Sequence, residues 1–116
     1  MDIEPAVSDV LRRVALAVNQ TLILSTPVDT GRARANWQVS IGTEVDAELD
    51  STDVQGAITR NQGVIKGYRN GEIIVQNNVS YIGALNNGSS AQAPAGFVEK
   101  AIQTGVRAAT RSKVLR

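Results

Sequence analysis

The sequence predicts a single α+β domain, and two kinds of periodicity are the reason. Apolar residues recur at helical spacing near both ends of the chain and once in its middle, whereas residues 33–49 alternate strictly between apolar and polar side chains. A short β-branched run, residues 72–76, adds a strand. The expected order within residues 1–116 is N-terminal helix, strand pair or long hairpin, middle helix, short strand, long loop and C-terminal helix, packed on a small antiparallel or mixed sheet.

The first element is a helix over residues 6–25 with a broad apolar stripe. Pro5 suits its first turn and Pro27 cannot continue it. The members of the stripe are Val7, Val10, Leu11, Val14, Val18 and Leu22. Such a stripe fits plain core, and it also fits a helix covered on one side by a neighbouring subunit.

The alternating stretch predicts a strand or hairpin with one buried face, and Gly42 is a candidate bend within it. Its polar face begins with Arg32 and Arg34 and ends in what we call the acidic segment, residues 44–53. This segment holds five acids and no base: Glu44, Asp46, Glu48, Asp50 and Asp53. It is either a solvated edge that prevents strand pairing or a charged surface directed at a partner or a channel.

A capping box at Thr52 and Gln55 predicts the start of the middle helix, which should end near Lys66 or Gly67. The long loop that follows the short strand is expected to dock on another subunit, and a flexible surface loop without a function is the alternative. Tyr81 and Phe97 should anchor its ends in the core, and its tip, residues 86–92, should reach the neighbour.

The last helix should bury an inner stripe made of Val98, Ala101, Ile102, Gly105, Val106 and Ala109. From Lys100 to Arg116 the chain is basic, with no acid after Glu99. A solvated helix end is the simplest reading of those bases, and contact with nucleic acid phosphates is the alternative. The bases are Lys100, Arg107, Arg111, Lys113 and Arg116.

Composition argues against catalysis. The chain has no histidine and no cysteine, which removes the commonest general base, the thiol nucleophile and the commonest transition-metal ligands. We therefore expect no enzyme, no cofactor and no metal, although Asp29 beside Thr30 and weak Ca²⁺ binding by the acidic segment remain alternatives. The net charge of +1 supplies no drive toward nucleic acid or lipid. The acidic N-terminus is unlike a signal peptide, so an intracellular product without a membrane partner is expected.

Aromatic residues make up only 3% of the chain, so the core must be largely aliphatic. Such a core buries less area per residue, and the stability of a lone protomer should be marginal. Assembly with further copies would relieve this.

Two blocks of the sequence resemble a known family. Residues 26–37, TPVDTGRARANW, resemble the TPVDTGRLRASW signature of the neck, or head–tail joining, proteins of tailed bacteriophages, with a lambda-like minor tail protein Z branch. Residues 77–97 resemble that family's N-x-x-x-Y-x-x-x-L-E-x-G-x-S-x-Q-A-P-x-G-F/M pattern, with one departure: the usual acid between Leu85 and Gly88 is replaced by Asn86, so that the chain reads Asn86-Asn87-Gly88. The matching residues, which the resemblance implies as fold and interface determinants, are Pro27, Asp29, Thr30, Gly31, Arg32, Arg34, Trp37, Tyr81, Gly88, Gln92, Pro94, Gly96 and Phe97.

The resemblance implies a structural virion protein of the head–tail junction, made in the host cytoplasm. It would assemble as a homo-oligomeric ring, dock to connector and tail proteins, and let DNA pass without sequence-specific binding. The charged ends suggest contacts between subunits, with Glu44, Asp46, Glu48 and Asp50 facing Arg107 and Arg111 of the next copy, or an acidic lumen. The alternative function is a small DNA-binding accessory protein that uses the basic C-terminal helix.

Overall fold

The computed structural model describes residues 5–28, 31–88 and 95–114. In chain order the elements are α1 (Pro5–Ser25), α2 (Arg32–Ala35), β1 (Trp37–Ile41), α3 (Val54–Lys66), β2 (Ile73–Asn77), α4 (Ile82–Asn86) and α5 (Phe97–Val114). This layout confirms the predicted α+β class. Of the candidate residues, Asp29, Thr30, Gln92 and Pro94 lie outside the described residues, as does the side chain of Arg111.

The sheet consists of β1 and β2, which pair antiparallel with Val39 opposite Val75. The strand pair therefore does not come from residues 33–49 folding on themselves. The first residues of that stretch form α2, and the strand ends at Ile41 because Gly42 adopts a φ of 81°, in the left-handed region. The acidic segment then runs without regular structure until α3 begins.

The helices cover one face of the sheet, where the core lies. The main cluster of buried side chains consists of Val18, Leu22, Ile23, Trp37 and Ala101. Helices α1 and α5 approach closely at Gly105, where a Cβ atom would lie 2.7 Å from the Cα atom of Val18. Next to this crossing, the Thr21 hydroxyl donates a hydrogen bond to the Ala101 carbonyl at 2.7 Å.

The apolar stripe of α5 is narrower than predicted. Its buried members include Ala101 and Ala109, but Ile102 and Val106 are 40% and 38% exposed. The inner-stripe assignment was thus wrong for these two large side chains, because the close approach of α1 admits only small residues between the helices. On α1, Val7 and Leu11 are likewise exposed.

The described ends of the long loop differ from the prediction in two ways. Residues 82–86 form the short helix α4, and Tyr81 is 39% exposed, so its anchoring role was wrong. Phe97 is buried at 3%, as expected, and the anchor on the entering side is Val79 at 2%. At α3 the capping residue is Asp53 rather than Thr52, since the Asp53 carboxylate accepts a hydrogen bond from the Gly56 N–H at 2.9 Å.

Candidate functional site

The first motif block is built around Trp37, which is 5% exposed. Its indole N–H donates to the hydroxyl of Thr26 at 2.8 Å, and that hydroxyl donates to the carbonyl of Leu22 at 2.6 Å. The tryptophan is therefore tied to the last turn of α1 through a hydroxyl that is itself buried. A buried indole N–H needs such a partner, which gives Thr26 and Trp37 a joint structural role.

Arg34 and Gly31 fix the turn that leads out of α1. The guanidinium of Arg34 donates to the carbonyls of Thr26 at 2.6 Å and Leu24 at 2.8 Å, so it satisfies carbonyl groups that the helix leaves without partners. Gly31 has a φ of 78°, and a Cβ atom there would lie 3.1 Å from the Thr52 carbonyl oxygen. These residues act as folding determinants of the block.

The second block joins the first at Asn77. Its side-chain amide donates to the carbonyl of Ala33 at 2.8 Å, and Asn77 is the strand partner of Trp37. Its Oδ1 atom accepts from the N–H of Val79 at 3.1 Å, which turns the chain away from β2. The two sequence blocks, which are separated by about 40 residues in the chain, thus meet in space at the end of the sheet.

Beside this junction lies a shallow groove of about 250 Å³. Apolar and amide side chains line it, and none of them titrates: Trp37, Val75, Gln76, Asn77, Ile82, Gly83, Asn86 and Val98. A groove of this composition is suited to receive an apolar side chain or a backbone segment rather than to carry out acid–base chemistry.

Asn86 links α4 to the beginning of α5. Its Oδ1 atom accepts from the N–H of Val98 at 2.9 Å, and its carbonyl accepts from the N–H of Gly96 at 2.7 Å. Its Nδ2 atom donates to both carboxylate oxygens of Glu99, at 3.0 and 3.1 Å, and this hydrogen bonding lowers the pKa of Glu99. The first residue of the expected docking tip is therefore engaged within its own chain.

The acidic segment is held by side-chain amides rather than by a strand ladder. Asn36 pairs with Leu49 in the manner of a strand residue: its Oδ1 accepts from the Leu49 N–H at 2.6 Å, and its Nδ2 donates to the Leu49 carbonyl at 3.1 Å. Gln76 does the same with Val45, at 2.8 and 2.9 Å. We call this group the amide clasp; its members are Asn36, Gln38, Gln76 and Asn78.

The amide clasp corrects the reading of the polar face of residues 33–49. Asn36 and Gln38 occupy even positions that the alternation assigned to solvent, yet they are 0% and 8% exposed. Their amides satisfy backbone groups of the acidic segment, which covers them. The sequence feature that could have predicted the burial of Asn36 and Gln38 is that both are amides and not charged residues.

Two of the four acidic interface candidates form ion pairs within the chain. The Arg32 guanidinium contacts the carboxylates of Glu48 at 2.6 Å and Asp50 at 3.1 Å, and these hydrogen bonds raise the pKa of Arg32. The remaining candidates in the described part, Glu44, Asp46 and Arg107, have exposed side chains.

A buried asparagine of α3 was missed by sequence reasoning. Asn61 is 0% exposed, and its Nδ2 atom donates to the Trp37 carbonyl at 2.7 Å and to Asn19 Oδ1 at 2.8 Å. Its Oδ1 atom accepts from the Val39 N–H at 3.3 Å, and the guanidinium of Arg60 reaches the same Trp37 carbonyl at 3.0 Å. Side chains of α3 therefore cover the outer edge of β1 at Trp37 and Val39.

Nothing among the described residues assembles into a metal-binding cluster of His, Cys, Asp or Glu. The same part of the chain contains no helix with the length and hydrophobicity needed to cross a membrane. Comparison of this chain with protein-family models, with curated proteins and with solved structures found no match.

Proposed function

We propose that this protein is a structural component of the head–tail junction of a tailed bacteriophage, a neck or tail-completion protein without enzymatic activity. The observation that carries the proposal is the meeting of its two motif blocks. Asn77 of the second block donates to Ala33 of the first and pairs with Trp37 across the sheet. Two blocks that jointly build one junction explain why both would be present in one family of sequences.

The protein acts, in this proposal, by assembling into a homo-oligomeric ring that docks on connector and tail proteins while DNA passes through its lumen. Support comes from the apolar surface of the two terminal helices. Val7 and Leu11 on α1 and Ile102 and Val106 on α5 are between 38% and 47% exposed, although they lie on helices that pack against each other. Large apolar side chains left exposed on the surface of a small domain favour contact with another subunit.

The charged surfaces set the register of this assembly. Glu44 and Asp46 project from the exposed acidic segment, and Lys100 and Arg107 project from α5. Because exposed ion pairs contribute only about 0–1 kcal/mol each, they should orient neighbouring copies more than hold them together. Glu48 and Asp50 pair with Arg32 in the same chain and so contribute less to contacts with a neighbour than the other two acids.

The test is negative-stain imaging of the purified protein with a mass measurement in solution. The wild type should form closed rings, and the double variant Ile102→Glu, Val106→Glu should remain folded but unassembled. A matched control, Gln103→Glu with Thr104→Glu, adds the same charge at neighbouring exposed positions of α5 and should still form rings.

A monomeric wild type, or rings that survive the Ile102→Glu, Val106→Glu change, would contradict this mode of assembly. Duplex DNA provides the second arm of the test. Tight binding by the isolated protein that weakens steeply with salt would favour the accessory DNA-binding function instead, since neutralised phosphates release counterions.

A further inference from the structure

The outer edge of β2 carries backbone groups that have no partner in the described part of the chain. In the antiparallel register, Gly42 N–H donates to the Glu72 carbonyl at 2.8 Å, which makes the even-numbered residues of β2 the ones that bond to β1. The N–H and C=O groups of Ile73, Val75 and Asn77 therefore point away from β1. These residues are half-buried, and the groove beside Val75 and Asn77 leaves space along the edge.

The outer edge of β1 is covered by side chains of α3 at Trp37 and Val39. Asn61 occupies the Trp37 carbonyl and the Val39 N–H, and Arg60 binds the same carbonyl. Head-to-tail addition of β2 from one copy to β1 of another would have to displace these buried contacts. Among the described strands, this leaves the outer edge of β2 as the edge that another strand can join.

We propose that this edge pairs antiparallel with the same edge of a second copy, across a two-fold axis at Val75. A second copy of this chain is the proposed occupant because the edge is complementary to itself. With Val75 opposite Val75 of the second copy, Ile73 stands opposite Asn77, so every outward N–H and C=O of the three residues faces a partner. An isologous contact of this kind forms one continuous sheet in the order β1–β2–β2–β1.

Side chains and charge are compatible with this pairing. Ile73 of the second copy lies beside Asn77 on the helix-covered face, where the groove also contains Ile82 and can receive an apolar side chain. The charged residue that adjoins the strand is Glu72, and the antiparallel register places the two copies of Glu72 six positions apart, or about 20 Å. Like charges are thereby kept at opposite ends of the contact.

The pairing is a different contact from the ring of the proposed function and does not depend on it. Five-residue strands form a small contact compared with the roughly 1,200 Å² of a standard interface, so the dimer should be weak and should dissociate on dilution. It is best tested in the Ile102→Glu, Val106→Glu background, in which the helix surface proposed for ring formation is disabled.

The experiment is NMR on an equimolar mixture of ¹³C-labelled and unlabelled protein at about millimolar concentration, where weak contacts are populated. We expect an intermolecular NOE between the Hα atoms of Ile74 and Gln76, which face each other in the proposed register. We also expect the amide exchange of Ile73, Val75 and Asn77 to slow at least several-fold between dilute and concentrated samples.

Two variants of Val75 provide the matched comparison. Val75→Pro removes the outward N–H, and edge strands tolerate proline at such a position. Val75→Ala shortens the side chain and keeps the N–H. The dimer should dissociate at least tenfold more readily in the proline variant than in the alanine variant. Any one of three results would overturn the proposal: no intermolecular NOE, amide exchange that does not change with concentration, or a monomer at millimolar concentration. These measurements use the unmodified strand, so they remain decisive even if Val75→Pro fails to fold.

Discussion

Gly105 is the position where a single added methyl group should be most informative about how α1 and α5 pack. In Gly105→Ala, the new Cβ atom would lie 2.7 Å from the Cα and 2.8 Å from the N atom of Val18, and 2.9 Å from the Thr21 hydroxyl oxygen. Backbone atoms cannot rotate away as a side chain can, so the two helices must separate. Separation also weakens the hydrogen bond from Thr21 to Ala101.

The size of the effect follows from two opposing terms. Overpacking costs about 1–3 kcal/mol, and replacing glycine by alanine inside a helix returns about 0.8–1 kcal/mol. Because the clash is with backbone, the cost should lie toward its upper end, and the variant should lose about 1–2 kcal/mol of unfolding free energy, or roughly 4–10 °C in Tm. Urea denaturation followed by the fluorescence of Trp37, the single tryptophan, measures this.

Gly63→Ala is the control for helix propensity. Gly63 lies inside α3 with nothing within 4 Å of the position of a Cβ atom, so the same substitution should stabilise the protein by about 0.4–1 kcal/mol. If Gly105→Ala stabilised the protein as much as Gly63→Ala does, the close helix contact and the reasoning based on it would be wrong.

Three further substitutions test the hydrogen bonds around the candidate site. Thr26→Val keeps the shape of the side chain but leaves the Trp37 N–H buried without an acceptor, which should cost about 1–3 kcal/mol in urea denaturation; an unchanged midpoint would contradict the role of this bond. Asn36→Leu should free the acidic segment, so limited proteolysis should cut within residues 44–53 much faster while wild-type protein resists. Asn86→Ala should raise the pKa of Glu99 toward its ordinary value of 4.5 in an NMR titration. The lowered pKa stabilises the wild type above that value, and the stabilisation is lost as pH falls through the folded-state pKa, so the variant should show a weaker loss of stability in acid.

The parts of the fold that depend on neighbouring residues in the chain were predictable from the sequence. The end of α1 at Ser25, the end of α3 at Lys66 and the placement of β2 follow from proline, from glycine and from β-branched residues, whose effects are local. The burial of Phe97 was also predictable, because large aromatic side chains at the start of an amphipathic helix are seldom left in water.

The periodicity of the sequence could not predict which part of the chain, or whether solvent, covers each polar or apolar face. Asn36 is polar, as a solvent-facing residue would be, but its amide is satisfied by backbone of the acidic segment instead of by water. Ile102 is apolar, as a core residue would be, but Gly105 brings α1 so close that the larger side chain is left outside. Both outcomes depend on a segment distant in the chain, and a local pattern carries no information about it.

The amide clasp binds the backbone of the acidic segment and makes no use of the segment's side chains. Asn36 and Gln76 bind N–H and C=O groups that every residue except proline possesses, so the bound stretch would stay in place with almost any residues at its exposed positions. Apart from the contacts of Arg32 with Glu48 and Asp50 and the capping of α3 by Asp53, the charge of the acidic segment is thus uncoupled from the stability of the domain. Mutation can therefore change the charge of this surface from negative to neutral or positive while the fold is kept.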